Sequence, residues 1–299
     1  MFIFSRQTTT DFKPIHTVPS HFYSPVAHNA EITRKYERII FTGKFYDGRG
    51  EKLVDKQLII ENVRARYGEL ARGAADCCGD RDGFASCSVV YDSNQIKDLP
   101  EEALTASAGC GNPNAIGELK QGETVVDLGS GGGIDCFIAA NMVGETGRVI
   151  GVDMTPDMIN LANENKVKMG AENVEFRLAQ IDKTGIDTDS VDVIISNCVI
   201  VLAPDKDAVF RESVRILKKG GRMHISDVML TSELPDHVSS DMDNWTHCLA
   251  GAELTDVYIG RMRESGFSRV EVVSDVPYRW ESEENWVASV RSVNLLATK

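Results

Sequence analysis

The sequence lacks the features that mark several large classes of protein. It has 32 lysine and arginine residues against 45 aspartate and glutamate residues, which gives a formal net charge of -13 at pH 7. A chain so acidic is poorly suited to neutralise phosphates, so we expect no nucleic-acid partner. No apolar run is long enough to cross a bilayer, and the N-terminal stretch MFIFSRQTTT has too short an apolar run for a secretory signal. We therefore expect no membrane association and a cytoplasmic location.

The seven cysteines also lack the spacing of common metal modules. No Cys-x-x-Cys pair is present, and no cysteine and histidine residues stand at zinc-finger spacing. An odd number of cysteines in a long chain without a secretory signal disfavours a disulfide framework. We interpret them as reduced thiols that can bind or react, and they stand at positions 77, 78, 87, 110, 136, 198 and 248.

The middle of the chain alternates regularly between apolar runs and helical patterns. Five short apolar runs predict strands: 124–129, 148–153, 173–180, 191–198 and 221–228. Two more strand candidates follow at 268–276 and 290–299. Strands that are apolar on both faces and separated by helices predict a doubly wound, mostly parallel α/β sheet of the Rossmann-like kind. An antiparallel strand is expected among the last two.

Composition and hydrophobic period divide the chain into three predicted regions. Residues 1–50 show no sustained period and predict an irregular arm of unknown role. Residues 51–230 are predicted to form the main domain, with a helix at 52–69 and a thiol-bearing loop at 73–88 near its start. Residues 231–299 predict a smaller C-terminal subdomain that closes the sheet.

Glycine and polar residues follow three of the predicted strands at the edge where such sheets bind ligands. The glycine turn at 129–133 follows the first strand, Asp153 ends the second, and Asn197 lies at the end of the fourth. Ile134 stands where a dinucleotide fingerprint would have its third glycine, and Asp127 precedes the turn. A carboxylate this close would oppose a pyrophosphate but would not oppose a cationic cofactor.

Taken together, several segments resemble the arsenite S-adenosylmethionine methyltransferases, which are class I methyltransferases. The segments are ASAGCGNP, VVDLGSGGGIDCFIAA, VIGVDMTPDMI, SVDVIISNCVI, APDKDAVFRESVRILKKGGRMHISDV and NWTHCLAGA. The resemblance covers about residues 55–270. SNCV and CLAGA are its specific parts, whereas DLGSGGG fits many methyltransferases.

The resemblance implies an enzyme that transfers methyl groups from S-adenosylmethionine to trivalent arsenic and so detoxifies arsenite. It implies that Cys198 and Cys248 hold the arsenic as thiolates, with Cys110 as a third thiol. The cofactor contacts that it implies, together with the strand-end pattern, are Asp127, Gly129, Ser130, Gly131, Asp153, Met154, Gln180, Ile181 and Asn197. The implied partners are arsenite or its thiol conjugate, with thioredoxin or glutathione as the reductant, and we expect a monomer.

The chain departs from the family pattern in three places. Residues 1–50 have no counterpart in the family. Val201 stands where family members tend to have an amide. A fourth functional cysteine would be one of Cys77, Cys78 and Cys87, and we assign it to Cys78 while the spacing leaves the choice open.

The chemistry of arsenic makes the thiol assignment reasonable without the family name. Arsenic(III) is a soft, three-coordinate centre with a lone pair, and thiolates are the soft ligands that proteins offer. The lone pair can attack a sulfonium methyl group in line, so methyl transfer needs no general base and rests on proximity in a water-poor pocket. The glycines beside Cys110 are expected to let its loop swing toward the metalloid. Cys136, inside a predicted helix, is interpreted as a buried small residue.

Two other classes of function stay open at this point. A methyltransferase for a small organic acceptor would use the same cofactor site but would not need Cys198 and Cys248. A non-enzymatic protein that buffers or senses metalloids would need the cysteines but not the glycine turn or Asp153. The thiols argue against the first class, and the cofactor-binding pattern argues against the second.

Overall fold

A seven-stranded sheet organises the part of the chain that the structure describes. The structure is a computed structural model that describes residues 55–73, 91–278 and 284–299. The strands are β1 Thr124–Leu128, β2 Arg148–Asp153, β3 Val174–Leu178, β4 Val191–Asn197, β5 Leu217–Leu230, β6 Arg269–Pro277 and β7 Val290–Thr298. Their order is β3-β2-β1-β4-β5-β7-β6, in which β7 runs antiparallel to both of its neighbours and the other neighbouring pairs are parallel. The predicted doubly wound, mostly parallel sheet is confirmed.

Helices cover the sheet and its carboxyl edge. They are α1 Lys56–Ala71, α2 Ser93–Ile96, α3 Glu101–Thr105, α4 Ile134–Val143, α5 Pro156–Met169, α6 Lys206–Ile216, α7 Asp236–Ser239, α8 Met242–Thr246 and α9 Thr255–Ser265. Short 3-10 turns occur at Pro113–Ala115, Ile200–Leu202 and Asn285–Ser289. Among the described residues, no helix combines the length and the apolar character needed to cross a bilayer.

Local sequence signals account for the ends of α5. Thr155 has extended backbone at the N-cap, Pro156 occupies the first turn, and Gly170 ends the helix in the left-handed region at φ 61°. Proline suits the first turn because its missing N–H would have no helical partner there, and glycine carries the positive φ without strain. The start and end of this helix therefore follow the sequence prediction.

The strand after α6 is longer than the apolar pattern predicts. β5 has 14 residues and begins at Leu217, whereas the pattern predicts residues 221–228. It pairs with β4 on one side and with β7 along nine residues on the other, so backbone hydrogen bonds to two partners extend it beyond its apolar centre. The predicted boundary near residue 230 stays a prediction, and β6 and β7, which follow it, belong to the same sheet.

A buried apolar cluster at the carboxyl ends of β4 and β5 lies beneath α1 and α8. It includes Ile59 and Val63 of α1, Val228 and Leu230 of β5, and Leu249 after α8. α1 also packs against α5, which begins at the end of β2. The helix predicted at 52–69 is thus found at 56–71, where it covers the ligand-binding edge of the sheet.

Candidate active site

Three cysteines that are far apart in the sequence lie together at this edge. Cys198 follows β4, Cys110 lies in the loop before β1, and Cys248 follows α8. All three belong to the same buried apolar cluster, with exposed fractions of 3%, 8% and 5% respectively. The Sγ of Cys248 donates a hydrogen bond of 3.4 Å to the backbone oxygen of Cys198. The structure therefore brings together the three cysteines that the sequence singled out.

Cys198 is the central member of this group. Interaction with the neighbouring thiols of Cys110 and Cys248, together with burial, raises the pKa of Cys198 well above its usual value. Burial also raises the pKa of Cys110. The thiols of Cys198 and Cys110 therefore keep their protons at neutral pH until a ligand replaces them.

The backbone at two of the cysteines is strained. Cys198 has φ 57° and Cys248 has φ 64°, a left-handed conformation that only Asp189 shares among the non-glycine residues described. This conformation costs a residue with a side chain roughly 1 to 2 kcal/mol, and such strain is concentrated at functional sites. The N–H of Cys198 donates a hydrogen bond of 2.7 Å to the oxygen of Ser226, which fixes the strained turn on β5.

A cavity opens beside Cys198 along the carboxyl ends of β1, β2 and β4. Eight of the nine predicted cofactor contacts line it: Gly129, Ser130, Gly131, Asp153, Met154, Gln180, Ile181 and Asn197. The charged residues of its lining are Asp135, Asp153, Asp182 and Asp205, and no described lysine, arginine or histidine is among them. A cavity with this lining favours a cationic ligand over a phosphate.

The glycine turn leaves room in the cavity and presents polar groups to it. Gly131 has φ 50°, and a Cβ there would meet no atom within 4 Å, so its missing side chain leaves open space. Gly129 has φ 74°, and a Cβ there would overlap the side chain of Val199. The Oδ2 of Asp153 accepts a hydrogen bond of 3.0 Å from the N–H of Gly131, while the hydroxyl of Ser130 is buried with no hydrogen-bond partner in the described part of the chain.

Asp127, the ninth predicted contact, does not line the cavity. It is buried behind the turn, where the Sγ of Cys136 donates a hydrogen bond of 3.2 Å to its Oδ2. Asp135 is the carboxylate in the first turn of α4 that lines the cavity. Burial raises the pKa of Asp135 to about 6, against the effect of hydrogen bonds from Asn197 and Tyr91. Asp135 is absent from the predicted site, although its position two residues after the glycine turn is a signal that marks it.

Comparison with known proteins identifies the family of this site. A family model described as a methyltransferase domain matches residues 119–287. The crystal structure of an arsenic(III) S-adenosylmethionine methyltransferase from Chlamydomonas reinhardtii matches with a TM-score of 0.62 and 34% sequence identity, over 69% of this chain and 71% of that one. The chain belongs to the arsenite methyltransferase family.

Curated members of the arsenite methyltransferase family are similar over most of this chain. The arsenite methyltransferase of Halobacterium salinarum is 46% identical over 233 residues, which are 73% of this chain and 59% of that protein. The human arsenite methyltransferase is 34% identical over 206 residues, which are 65% of this chain and 54% of that protein. The chain therefore spans little more than half the length of these two relatives.

In this member of the arsenite methyltransferase family, helix α1 contributes a cavity residue, Tyr67, that is absent from the predicted site. Tyr67 lines the cavity, and its hydroxyl lies 4.0 Å from the Sγ of Cys248. Burial, followed by the nearby Cys248 and Cys198 thiols, raises the pKa of Tyr67 well above its usual value. Tyr67 belongs to the apolar stripe of α1, and from periodicity alone it is indistinguishable from a core residue.

At Val201, where the resemblance predicts an amide, an apolar side chain packs in the buried apolar cluster that contains Cys110, Cys198 and Cys248. The side chain is fully buried, and its backbone N–H donates a hydrogen bond of 2.9 Å to the Oδ2 of Asp227. The backbone at Val201 is therefore anchored to β5, and its side chain contributes apolar packing around the three cysteines. Cys77, Cys78 and Cys87 lie outside the described residues, as does the predicted arm at 1–50, so the fourth thiol stays a prediction.

Proposed function

We propose that this protein transfers methyl groups from S-adenosylmethionine to trivalent arsenic held by Cys110, Cys198 and Cys248, and so detoxifies arsenite. The observation that carries the proposal is the burial of these thiols in one cluster beside an acidic cavity lined by a glycine turn. The family membership supports it, because the relatives reported above are named for arsenic methylation.

The residues of the cavity fit S-adenosylmethionine, which carries a sulfonium and an ammonium group. Asp135 and Asp153 supply negative charge, Gly131 leaves space, and the unpartnered hydroxyl of Ser130 can bond a polar group of the ligand. When bound, S-adenosylmethionine supplies a methyl group on a sulfonium centre, to which the arsenic lone pair adds as the carbon–sulfur bond breaks. Cys198 lines the cavity, so arsenic on this thiol would lie next to the cofactor.

Arsenite binds by exchange of its hydroxyl groups for thiols. Each thiol that bonds to arsenic replaces one hydroxyl group, and the thiol proton leaves with that hydroxyl group as water. Protonated thiols are therefore the appropriate starting state, and no side chain has to act as a base. The described residues contain no group of three or more Cys, His, Asp or Glu already close enough together to hold a metal ion, so we propose that the thiols rotate toward a common point when arsenic binds.

The apolar cluster around the thiols keeps water from the bound arsenic. Val63 of α1, Val201, Val228 and Leu249 are buried there with the cysteines. Exclusion of water protects the arsenic–sulfur bonds from hydrolysis and leaves the arsenic lone pair free to react.

The proposed reaction needs a reductant, and the identity of that reductant indicates where in the cell the protein would act. Methyl transfer oxidises arsenic from the trivalent to the pentavalent state, so two electrons must come from a thiol reductant before another methyl group can be added. We propose thioredoxin or glutathione for this role, with arsenite or its thiol conjugate as the substrate. Because these reductants keep cytosolic thiols reduced, we place the protein in the cytoplasm, where it would act as a monomer.

The two other classes of function each leave part of the site unexplained. A methyltransferase for an organic acceptor would not need three buried thiols gathered near the end of β4. A metalloid buffer would not need the acidic cavity and its glycine turn. The presence of both at one edge of the sheet favours arsenite methylation.

Product analysis tests the proposal. The protein is incubated with arsenite, a thiol reductant and S-adenosylmethionine, and the arsenic species are separated and quantified. We expect methylated arsenic from the wild type and none above background from Cys198→Ser or Cys248→Ser, because each variant loses a thiol ligand. Calorimetric titration with S-adenosylmethionine should give heat of binding for all three proteins.

The control is Cys136→Ser, in which the hydroxyl can still donate to Asp127 and no thiol of the cluster is lost. It should methylate arsenite like the wild type. Methylation retained by Cys198→Ser would remove that thiol from the reaction, and a wild type that binds arsenite without binding S-adenosylmethionine would point to a metalloid buffer.

A further inference from the structure

The loop that carries Cys110 is held from two sides by hydrogen bonds to its backbone. From the end of β4, the Oδ1 of Asn197 accepts hydrogen bonds from the N–H groups of Cys110, at 3.0 Å, and Gly111, at 3.2 Å. The Nδ2 of Asn197 also donates to the oxygen of Gly111 over 2.8 Å. From β7, the hydroxyl of Ser292 donates to the oxygen of Cys110 over 2.9 Å. Both backbone polar groups of Cys110 are therefore bonded to side chains of the sheet.

The glycines beside Cys110 allow this close packing. A Cβ at Gly109 would overlap the carboxamide of Asn197, and a Cβ at Gly111 would lie 2.6 Å from the hydroxyl of Ser226. Glycine at both positions lets the loop approach β4 and β5 closely. The structure differs from the expectation that the glycines let the loop swing, because here they let the loop pack closely against β4 and β5.

Asn197 is itself fixed by a buried network that reaches the cavity. Its Nδ2 also lies 2.9 Å from the hydroxyl of Tyr91 and 3.1 Å from the Oδ2 of Asp135, so its two hydrogens are shared among three acceptors. Tyr91 donates to the same carboxylate oxygen over 2.9 Å, and Asn114 donates to the other oxygen over 2.8 Å. The carboxamide of Asn197 is therefore held in one orientation, with its acceptor toward the Cys110 loop.

We infer that Asn197 and Ser292 are positioning residues that hold the backbone of Cys110 beside Cys198, so that its thiol needs only a side-chain rotation to reach arsenic. The inference rests on the proposed function only in taking trivalent arsenic as the ligand. A free loop would lose conformational entropy when its thiol binds, and the hydrogen bonds from the two side chains reduce that loss before arsenic arrives. This role differs from the cofactor contact predicted for Asn197, because it acts on the substrate side of the site.

A double-mutant cycle on the full chain tests whether the two side chains act through Cys110. Arsenite affinity is measured by calorimetry for the wild type, Cys110→Ser, Asn197→Ala, Ser292→Ala, and each of the last two combined with Cys110→Ser. We expect Asn197→Ala to weaken arsenite binding about tenfold or more and Ser292→Ala to weaken it by a smaller factor. The factors differ because Asn197 makes more hydrogen bonds to the Cys110 loop than Ser292 does. In the Cys110→Ser background each should change the affinity less than twofold, because the thiol that it positions is already absent.

Two matched variants control for the loss of a side-chain hydrogen bond to the backbone elsewhere in the protein. In Asn173→Ala the lost amide donates to the oxygen of Gly144 over 3.0 Å, and in Ser213→Ala the lost hydroxyl donates to the oxygen of Val209 over 2.8 Å, both remote from the thiols. Neither should change arsenite affinity. Ser292 does not line the cavity, so Ser292→Ala should also bind S-adenosylmethionine like the wild type.

Additive effects in the cycle would overturn the inference, as would equal losses of affinity in the control variants. If Asn197→Ala does not fold, the cycle with Ser292→Ala decides alone. The positioning role and the proposed function can fail separately. A wild type that binds arsenite but methylates nothing contradicts the function. Methylation together with an additive cycle contradicts only the positioning role.

Discussion

At the scale of single residues, Asp227 is a buried acid that should make stability depend on pH. Its Oδ2 accepts hydrogen bonds of 2.9 Å from both the hydroxyl of Tyr258 and the N–H of Val201. Burial raises its pKa to about 7, although these donors and the nearby Lys206 favour the charged form. An aspartate in the unfolded chain ionises near pH 4, so the folded state holds the extra proton between about pH 4 and 7. Stability from this group is therefore fully present below about pH 4 and is lost progressively as the pH rises from there through 7.

The substitution Asp227→Asn should reduce this pH dependence. Because asparagine carries no titrating proton, the wild type should lose roughly 2 to 3 kcal/mol more of its free energy of unfolding than the variant between pH 5 and 8. Denaturant unfolding of both proteins at several pH values measures the difference. Parallel profiles over this range would show that Asp227 is ionised throughout, and would contradict the effect assigned to its burial.

The residues of the thiol group show what the sequence can and cannot predict at this scale. Cys198 and Cys248 are predictable because short motifs around them resemble a family, whereas their positive φ values are visible only in the structure. The glycines beside Cys110 illustrate a different limit. A missing Cβ permits both freedom and close packing, and the sequence does not say which of the two the folded chain uses.

At the scale of elements, the glycine turn after β1 offers a matched pair of substitutions. Gly131 and Gly170 both have positive φ, at 50° and 61°, and a Cβ at either would meet no atom within 4 Å. Alanine should therefore cost about 1 to 2 kcal/mol of stability at each from backbone strain. Only Gly131 lines the cavity, so Gly131→Ala should also weaken S-adenosylmethionine binding, by about tenfold, while Gly170→Ala should not.

Denaturant unfolding of the two variants measures the cost of backbone strain, and calorimetric titration measures their affinity for S-adenosylmethionine. Equal affinity for S-adenosylmethionine in both would mean that the open space at Gly131 does not receive the cofactor.

Element boundaries follow the sequence where local chemistry decides them and depart from it where pairing does. The ends of α5 are set by its own proline and glycine, and they are predictable. The length of β5 is set by its two neighbouring strands, which the apolar pattern of one segment does not contain. α1 is predictable as a helix, but its place over the thiols depends on contacts with α5 and α8 that are distant in sequence.

At the scale of the whole molecule, the order of strands and helices predicts the sheet, and the sheet explains why remote residues meet. Parallel strands bring their carboxyl ends to one edge, so the glycine turn, Asp153 and Asn197 are expected to line a common cavity. Three residues of the site lie outside the parallel strands: Tyr67 on α1, Cys248 after α8 and Ser292 on β7. Their positions near the edge depend on tertiary packing, and the sequence predicts only Cys248 of the three, from the family motif.

The central claim is that arsenic is held by the thiols gathered around Cys198, and X-ray absorption at the arsenic edge tests it most directly. The full chain is loaded with one equivalent of arsenite, and the atoms bonded to arsenic are counted in the wild type, Cys136→Ser and Cys198→Ser. We expect three sulfur ligands in the first two proteins and fewer in Cys198→Ser. An oxygen-only shell in the wild type, or a three-sulfur shell that is unchanged in Cys198→Ser, would contradict the account.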